Sequence, residues 1–407
     1  MMPDSQRSLC LLVFTTLYPN AEQPHHGIFV ENRLRHLLAA SDYRARVVAP
    51  VPWFPFKSRR FGRYAAYARI PRREVREGIV VEHPRYLVIP KVGMRLAPFL
   101  LHLGARRTVR RLLRTEPKID VIDAHYFYPD GVAAARLARE PGIPLTITGR
   151  GTDLNLIPSY PFARRRIRDA AERADGLVTV CAALADDLAA LGVPRERIRV
   201  LRNGVDPDVF HEDVAGGAAM RRDLGVQGPV LASVGHLIPR KGHDLAIRSL
   251  ARRDEGDLVI AGTGPEESAL RALAADLGVA DRVHFLGAVP HAALKRVYSA
   301  ADVLVLASQR EGWPNVLLES LACGTPVVAT AVNGSPEVVQ DPVAGRIVTE
   351  RTPEALAAAV DDLRAQPPER AAVRSYAEAF SWDATTRGQM DMFAAVTGAT
   401  GETGFRT

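Results

Sequence analysis

Runs of Val, Leu and Ile recur along this chain without polar alternation, and between them apolar residues return every three or four positions. In the first half the runs are Leu9–Thr15, Ala45–Pro50, Val80–Val88, Ile119–Ala124, Leu145–Thr148, Gly176–Cys181 and Arg199–Leu201. Helical spacing occupies His26–Ala39, Leu96–Arg114, Gly131–Arg139, Phe162–Arg173 and Ala182–Ala190. The second half repeats the rhythm. Strands are predicted there at Val230–Val234, Leu258–Ala261, Val283–Leu286, Val303–Ala307, Val327–Ala329 and Arg346–Val348. Helices are predicted at His243–Arg252, Glu266–Leu277, Ala292–Ser299, Asn315–Ala322 and Pro353–Ala365. Strands apolar on both faces belong to sheets covered on both sides, and strand–helix alternation predicts a doubly wound α/β fold. A chain of 407 residues exceeds one hydrophobic core, so the repetition predicts two Rossmann-like domains facing across a cleft. The joint is expected near Asn203–Pro207, where Asn203-Gly204 and Asp206-Pro207 punctuate the pattern. The tail from about Thr397 carries no pattern.

Composition removes several classes. Hydrophobic residues at 47% and charged residues at 24% exclude a disordered or collagen-like chain. The longest apolar stretch, Ser8–Leu17, falls short of the roughly 18 residues of a membrane span. With one preceding cation, Arg7, and no small-residue cleavage site, it reads as a buried strand rather than a signal peptide. Cys10, Cys181 and Cys323 lie far apart. That spacing excludes a disulfide scaffold and a local cysteine metal site, and it fits a reducing cytoplasm.

Ligands of open α/β sheets bind beyond the carboxyl ends of the strands, so the chemistry is sought there. Val230–Val234 is followed by Gly235 and then "HLIPRKGHDLAI". Gly235 allows a tight turn, and Arg240 and Lys241 fall at a helix start. Open amides and a partial positive charge there favour an anion by roughly 0.3–1 kcal/mol. A solvated basic cap is the alternative, and this segment alone does not choose. Leu258–Ala261 is followed by "GTGPEE", where Gly262 and Gly264 permit close backbone approach or simply an ordinary tight turn. The most specific segment is "EGWPNVLLESLACGTPVVAT", in which seven residues separate Glu311 from Glu319. Either glutamate alone reads as a solvated helix-start carboxylate. Together, among Gly312, Pro314, Gly324 and Pro326, they suit a molecule bearing several hydroxyls, such as a sugar and a ribose. Amides around Trp313, Asn315 and Val316 suit a phosphate.

These segments, with "FLGAVPHAALKRVYSAADVLVLAS" and "AVNGSPEVV", resemble family 4 (group 1) glycosyltransferases of the GT-B fold across most of residues 229–339. The first half is similar more loosely, through "YPN", "HHGIFVENRLRHL", "IDVIDAHYFYPDG", "TITGRGTDLN" and "RNGVD". The pattern is similar to bacterial enzymes of envelope and exopolysaccharide assembly. The resemblance implies an acceptor-binding domain at 1–204 and a nucleotide-sugar-binding domain at 205–380. The terminal "AFSWDATTRGQMDMF" resembles the closing helix, about 381–398, that completes the first domain.

The resemblance also implies roles. Glu311 would contact donor-sugar hydroxyls, Glu319 the ribose, and Lys241 the diphosphate. The family's arginine after the strand glycine is replaced by His236, so either Arg240 supplies the second cation or the phosphate is held more weakly. His236 is then a pH-sensitive candidate. Gly27 matches a glycine that approaches the phosphate or the acceptor. His125 matches a histidine that bonds near the reacting sugar. Asp153, with Arg150 beside it, orients the acceptor or His125, or else Asp153 is a helix cap. The implied activity is a configuration-retaining hexosyltransferase that needs no metal or other cofactor. The leaving phosphate takes the acceptor's proton, so catalysis rests on orientation and on cations. Asp186-Asp187 and Asp361-Asp362 read as solvated pairs rather than metal ligands. UDP sugars are expected ahead of GDP sugars, with a lipid-linked or oligosaccharide acceptor.

Charge adds a partner. Residues 1–203 hold 34 Lys and Arg against 19 Asp and Glu, and residues 57–118 hold 17 against 4. Residues 53–76 interleave aromatics with cations. In the helix predicted from Leu96, one ridge reads Leu96, Phe99, Leu100, Leu103 and then Arg107, Arg110, Arg111, Arg114, opposite Leu101, Ala105, Val109 and Leu112. An apolar tip followed by cations suits shallow insertion at anionic headgroups, each cation adding about 1 kcal/mol. Packing of Leu96–Leu103 beneath a loop, with solvated arginines, is the alternative. The expected location is cytoplasmic, peripheral to the inner face of the plasma membrane. A nucleic-acid-binding protein would explain the basic segment but not the paired glutamates, so no nucleic acid is expected as partner. A nicotinamide-dependent dehydrogenase would need Gly-x-Gly-x-x-Gly after the first strand, which "TTLYPNAEQPHHG" lacks. A phosphorylase or sugar epimerase of the same fold is the nearer rival.

Overall fold

The computed structural model describes residues 8–89, 93–115 and 117–398; the patternless tail lies almost wholly outside them. The chain divides into two compact units, Met1–Arg202 with Asp383–Thr407, and Asn203–Trp382.

Strands of the first unit are β1 (Cys10–Phe14), β2 (Arg44–Val48), β3 (Val51–Pro52), β4 (Arg73–Arg76), β5 (Ile79–Glu82), β6 (Arg85–Tyr86), β7 (Val121–His125), β8 (Leu145–Gly149), β9 (Gly176–Thr179) and β10 (Ile198–Val200). Among the described residues, eight form one sheet in the order β10-β9-β8-β7-β1-β2-β5-β4. All neighbours run parallel except β4 and β5. Those two form a hairpin turned at Glu77 and Gly78, both at positive φ (48° and 77°), the backbone of the tight turns that match strand twist. β4 hides in the sequence because "REVR" alternates charge with a single valine and sits inside a basic segment. The apolar run Val80–Val88 is two strands rather than one, since His83 and Pro84 break the ladder between β5 and β6.

Leu9, Leu11, Val13, Val30, Leu34, Val47, Val81 and Val121 pack into one core, which Met390 and Phe393 of the helix Trp382–Thr397 complete. A Cβ at Gly176 would overlap the Met392 sulfur, so the helix packs this closely on β9 with glycine there, and a larger residue would have to displace that side chain.

Strands of the second unit are β11 (Val230–Val234), β12 (Asp257–Ala261), β13 (Val283–Gly287), β14 (Val303–Leu306), β15 (Val327–Thr330) and β16 (Gly345–Val348). They form a parallel sheet in the order β13-β12-β11-β14-β15-β16, the doubly wound dinucleotide-fold order. Strand order reverses between β11 and β14, which places a ligand crevice at their carboxyl ends. Helices His243–Leu250 and Pro353–Ala365 cover part of this sheet through Ile247, Leu250, Leu356 and Val360, all fully buried. The helices Arg63–Arg69, Val214–Asp223 and Arg370–Glu378 have no counterpart in the sequence reading.

Candidate functional site

At the β11–β14 switch point, loops supply the groups the sequence singled out. β11 ends at Gly235, whose N–H meets the Ala261 carbonyl at 2.9 Å. β12 ends at Gly262, where a Cβ would overlap the Gly235 carbonyl oxygen; a Cβ at Gly264 would overlap Leu237 in the same way. Both glycines are therefore explained by one loop lying directly on the other. The turn Pro239–Lys241 then leads through Gly242 (φ 71°) into the helix His243–Leu250.

Lys241 donates to Glu311 Oε1 at 2.7 Å. The Ser308 hydroxyl donates to the same oxygen at 2.6 Å, and Arg240 stands 3.8 Å from Oε2 while donating to the Arg310 carbonyl at 2.7 Å. The Glu311 amide donates to Asn333 Oδ1 at 3.2 Å. Glu311 is 7% exposed. Burial pushes its carboxyl up, but the Lys241 ammonium, the Ser308 hydroxyl and Arg240 together hold it below the ordinary value. The result is a preformed, ionised acceptor beside two cations.

Glu319 sits in the helix Asn315–Ala322. His291 Nε2 donates to its Oε1 at 3.0 Å and the Tyr298 hydroxyl to its Oε2 at 2.7 Å. Phe210 meets the His291 ring edge-on at 5.0 Å. Burial lowers the His291 pKa, but the Glu319 hydrogen bond and charge together outweigh it and the net direction is up. Trp313 is buried against Phe380, with ring centroids 6.3 Å apart. The Asn315 N–H donates to the Trp313 carbonyl at 3.1 Å, so that amide is engaged in the turn rather than open to a phosphate. Val316 is the second residue of the same helix, and His236 is exposed on the loop after β11.

In the first unit His125 ends β7 and is 2% exposed. Arg150 Nη2 donates to its Nδ1 at 2.7 Å, and Nε2 lies 3.2 Å from Asp123 Oδ2. Arginine is only a donor, so Nδ1 accepts and the proton resides on Nε2. Burial, aided by Arg150 and Arg33, pulls the ring down to about 4 against the pull of Asp123, so it is neutral near pH 7. Asp153 does not touch His125. It receives the amides of Phe127 at 2.7 Å, Gly151 at 2.8 Å and Arg150 at 3.1 Å, and so pins the loops after β7 and β8 together. Arg150 is the residue that reaches the histidine. Gly27 (φ 69°) precedes the helix Ile28–Ala39, and a Cβ there would overlap the Leu17 backbone.

In the helix Gly93–Leu112, Leu101, Ala105, Val109 and Leu112 face the core. Leu96, Phe99 and Leu103 are 43–48% exposed and Leu100 is half-buried. Arg107, Arg111 and Arg114 are exposed. Arg110 pairs with Glu140, and Arg111 with Glu82 at 3.0 Å, so part of this charge is answered within the unit. No helix among the described residues is long and apolar enough to cross a membrane. Of the adjacent aspartates, Asp361 pairs with Arg253 and Asp362 with Arg346 at 2.6 Å.

Ser308, Asn333, His291, Tyr298 and Asp123 escaped the sequence reading. The signal for Asn333 was the Asn-Gly after β15, since it adopts φ 42°, a conformation asparagine tolerates. His291 and Tyr298 carry no local signal because Glu319 lies 28 and 21 residues away, whereas Ser308 and Asp123 sit beside their partners Glu311 and His125 but at ordinary strand-end positions.

The family description "Glycosyl transferases group 1" matches residues 220–380, and "Glycosyltransferase Family 4" matches residues 27–209. The D-inositol 3-phosphate glycosyltransferase of Frankia alni is 34% identical over 342 residues, covering 77% of this chain and 84% of that protein. The GDP-mannose-dependent alpha-(1-6)-phosphatidylinositol monomannoside mannosyltransferase of Mycolicibacterium smegmatis is 36% identical over 225 residues, covering 52% of this chain and 59% of that one. Among eight such relatives the matched share of the relative's length runs from 43% to 84%. The sucrose-phosphate synthase of Thermosynechococcus elongatus shares the fold, with a TM-score of 0.79 at 20% identity over 97% of this chain and 100% of that one.

Proposed function

Because this chain belongs to the family 4, group 1 glycosyltransferases, we propose that it moves a sugar from a nucleotide-diphosphate sugar to an acceptor hydroxyl with retention of configuration. The observation that carries this reading is the contact between Lys241 and Glu311 at a switch point of the sheet. A diphosphate competes for the Lys241 ammonium. Once it does, the Glu311 carboxylate, still held by Ser308, turns its freed lone pairs to the sugar hydroxyls. Glu319, aligned by His291 and Tyr298, accepts from the ribose. Lys241 and Arg240 stabilise the charge that develops on the leaving diphosphate, and that diphosphate takes the acceptor's proton. His125, the first-unit histidine of the family pattern, has Nδ1 on Arg150 and Nε2 on Asp123, so its part is to hold the ends of β7 and β8 in place. The residues invoked require no metal or other cofactor.

UDP is the first base to test and GDP the second, the latter supported by the name of the mannosyltransferase relative. The acceptor is a lipid-linked or glycan hydroxyl of envelope or exopolysaccharide assembly. Inositol-bearing acceptors form a second class, favoured by the names of the relatives. The exposed Leu96, Phe99 and Leu103 beside arginines support a peripheral position at an anionic membrane. A thermal-shift panel of UDP, GDP and ADP sugars tests the donor, and the anomeric signals of the transferred sugar test retention. Release of sugar phosphate or an isomerised nucleotide sugar would replace transferase by phosphorylase or epimerase. A panel without any shift would sink the donor site.

A further inference from the structure

Where the helix His243–Leu250 packs on its sheet, Leu231, Leu258 and Ile260 share one apolar cluster with Ala246, Ile247 and Leu250. That seam ends in a polar pair. Ser233 follows Leu231 on the same face of β11, and His243 stands one turn before Ile247 on the same face of the helix. The Ser233 hydroxyl hydrogen-bonds His243 Nδ1 at 2.8 Å, and both residues are buried.

The pair is not what stability alone would select. Two apolar side chains could fill the same seam with no polar group to satisfy. His243 Nε2 is also buried and has no hydrogen-bond partner within the protein, so the ring weakens the fold relative to an apolar one. Burial, aided by the nearby Lys241 ammonium, pulls the ring down to about 4, so it is neutral near pH 7 and adds no charge to the donor site. Local choices that work against stability gather where function needs them.

The position of the pair says what it serves. Ser233 and His243 flank the loop 234–242, which carries Gly235, His236, Arg240 and Lys241. Their bond joins the two ends of that loop. Directly above it, a Cβ at Gly235 would lie 3.7 Å from the Lys241 stem, so the stem crosses the strand end on its way to Glu311. Neighbouring loops hold the rest. The amides of Gly235 and Leu237 donate to the Ala261 and Thr263 carbonyls at 2.9 and 3.0 Å, and the Gln309 amide donates to the Arg240 carbonyl at 2.8 Å.

We propose that Ser233 and His243 are positioning residues for the donor's diphosphate: their hydrogen bond fixes the base of the loop 234–242 and thereby sets where the Lys241 ammonium meets a phosphate. The proposal rests on the reading of Lys241 as the diphosphate cation and names what holds that cation in place. With the base untied, the loss falls on the phosphate that Lys241 holds rather than on the nucleoside.

Calorimetric titration of the full chain with UMP, UDP, GMP and GDP tests it. The quantity read is the ratio of monophosphate to diphosphate dissociation constants for the base that binds. One charge-assisted bond makes that ratio at least about tenfold in the wild type. Ser233→Ala and His243→Leu should each reduce it at least about fivefold, while monophosphate affinity changes less than about threefold. His243→Asn, which can still bond Ser233, should keep the ratio within about twofold of wild type. Ser233→Ala with His243→Leu breaks the same bond once, so the double variant should lose no more than the worse single one. It should also melt no lower than either single variant, since neither polar group is left without its mate. An unchanged ratio in both single variants, equal losses of monophosphate and diphosphate affinity, or losses that multiply in the double variant overturn the proposal. If they do so while the wild type keeps its ratio, the pair alone fails; a wild type that binds diphosphates no better than monophosphates removes the reading of Lys241 and the pair with it.

Discussion

Replacing Lys241 by Ala isolates the contact on which the donor reading stands. In the folded chain the ammonium lies 2.7 Å from Glu311, which is 7% exposed, and removal strands that carboxylate. Breaking a buried pair by removing one partner costs about 3–5 kcal/mol. Here Ser308 at 2.6 Å and Arg240 at 3.8 Å remain, so about 1–3 kcal/mol is expected at pH 7. For a unit of this size that is a drop in melting temperature of roughly 2–12 °C.

The loss should depend on pH. The Glu311 carboxyl is held below its unfolded value of about 4.3, so its stabilisation is complete above that pH and disappears as pH falls through the folded value. Without Lys241, burial dominates and raises the carboxyl, so the variant's deficit is greatest near neutrality and shrinks as acid protonates Glu311. The ligand arm is separate. A charge-assisted bond to phosphate is worth about 1.5–3 kcal/mol, so UDP binding should weaken roughly 10- to 150-fold. UDP at 100 times its wild-type dissociation constant stabilises the wild type by about 2.7 kcal/mol; the variant should gain only about 0.3–1.4 kcal/mol at the same concentration. Scanning calorimetry from pH 3 to 8, with and without UDP, reads both arms. A variant that melts with the wild type at pH 7 and keeps the full UDP shift would refute the argument.

Gly262→Ala drives a methyl into the Gly235 carbonyl at φ 148°, so calorimetry should show a loss of at least about 3 kcal/mol or no folded second unit. Tyr298→Phe strips one donor from buried Glu319 and should cost about 1–3 kcal/mol in denaturant melts while raising the donor KM. Phe99→Asp with Leu103→Asp places charges on exposed positions, so circular dichroism melts should stay within about 0.5 kcal/mol of wild type, whereas flotation with anionic vesicles at low salt should be lost.

What the sequence disclosed and what it hid divide along a physical line. β11 and β14 were legible because a doubly covered parallel strand is apolar nearly throughout, Ser233 being the one polar residue in the two, a signal that needs no partner to be read. Lys241, Glu311 and Glu319 were legible because strand ends in such sheets are where polar residues gather without a packing reason. Their mutual geometry was not, since the Lys241–Glu311 pair spans 70 residues and nothing local records it. Gly262 and Gly264 show the limit from the other side. Their spacing reads as backbone kept open for a phosphate, yet each sits where a Cβ would strike a neighbouring loop, so packing alone requires glycine there. Asp153 behaves likewise, with its charge answered by three amides that lock two strand-end loops. A polar residue at a strand end is therefore ambiguous between building the rim and facing the ligand. The kind of internal partner separates the two: backbone amides are fixed, whereas a side-chain cation can be drawn to a ligand. Asp153, locked by three backbone amides, builds the rim, whereas Glu311 is held by side chains that an incoming anion can draw away.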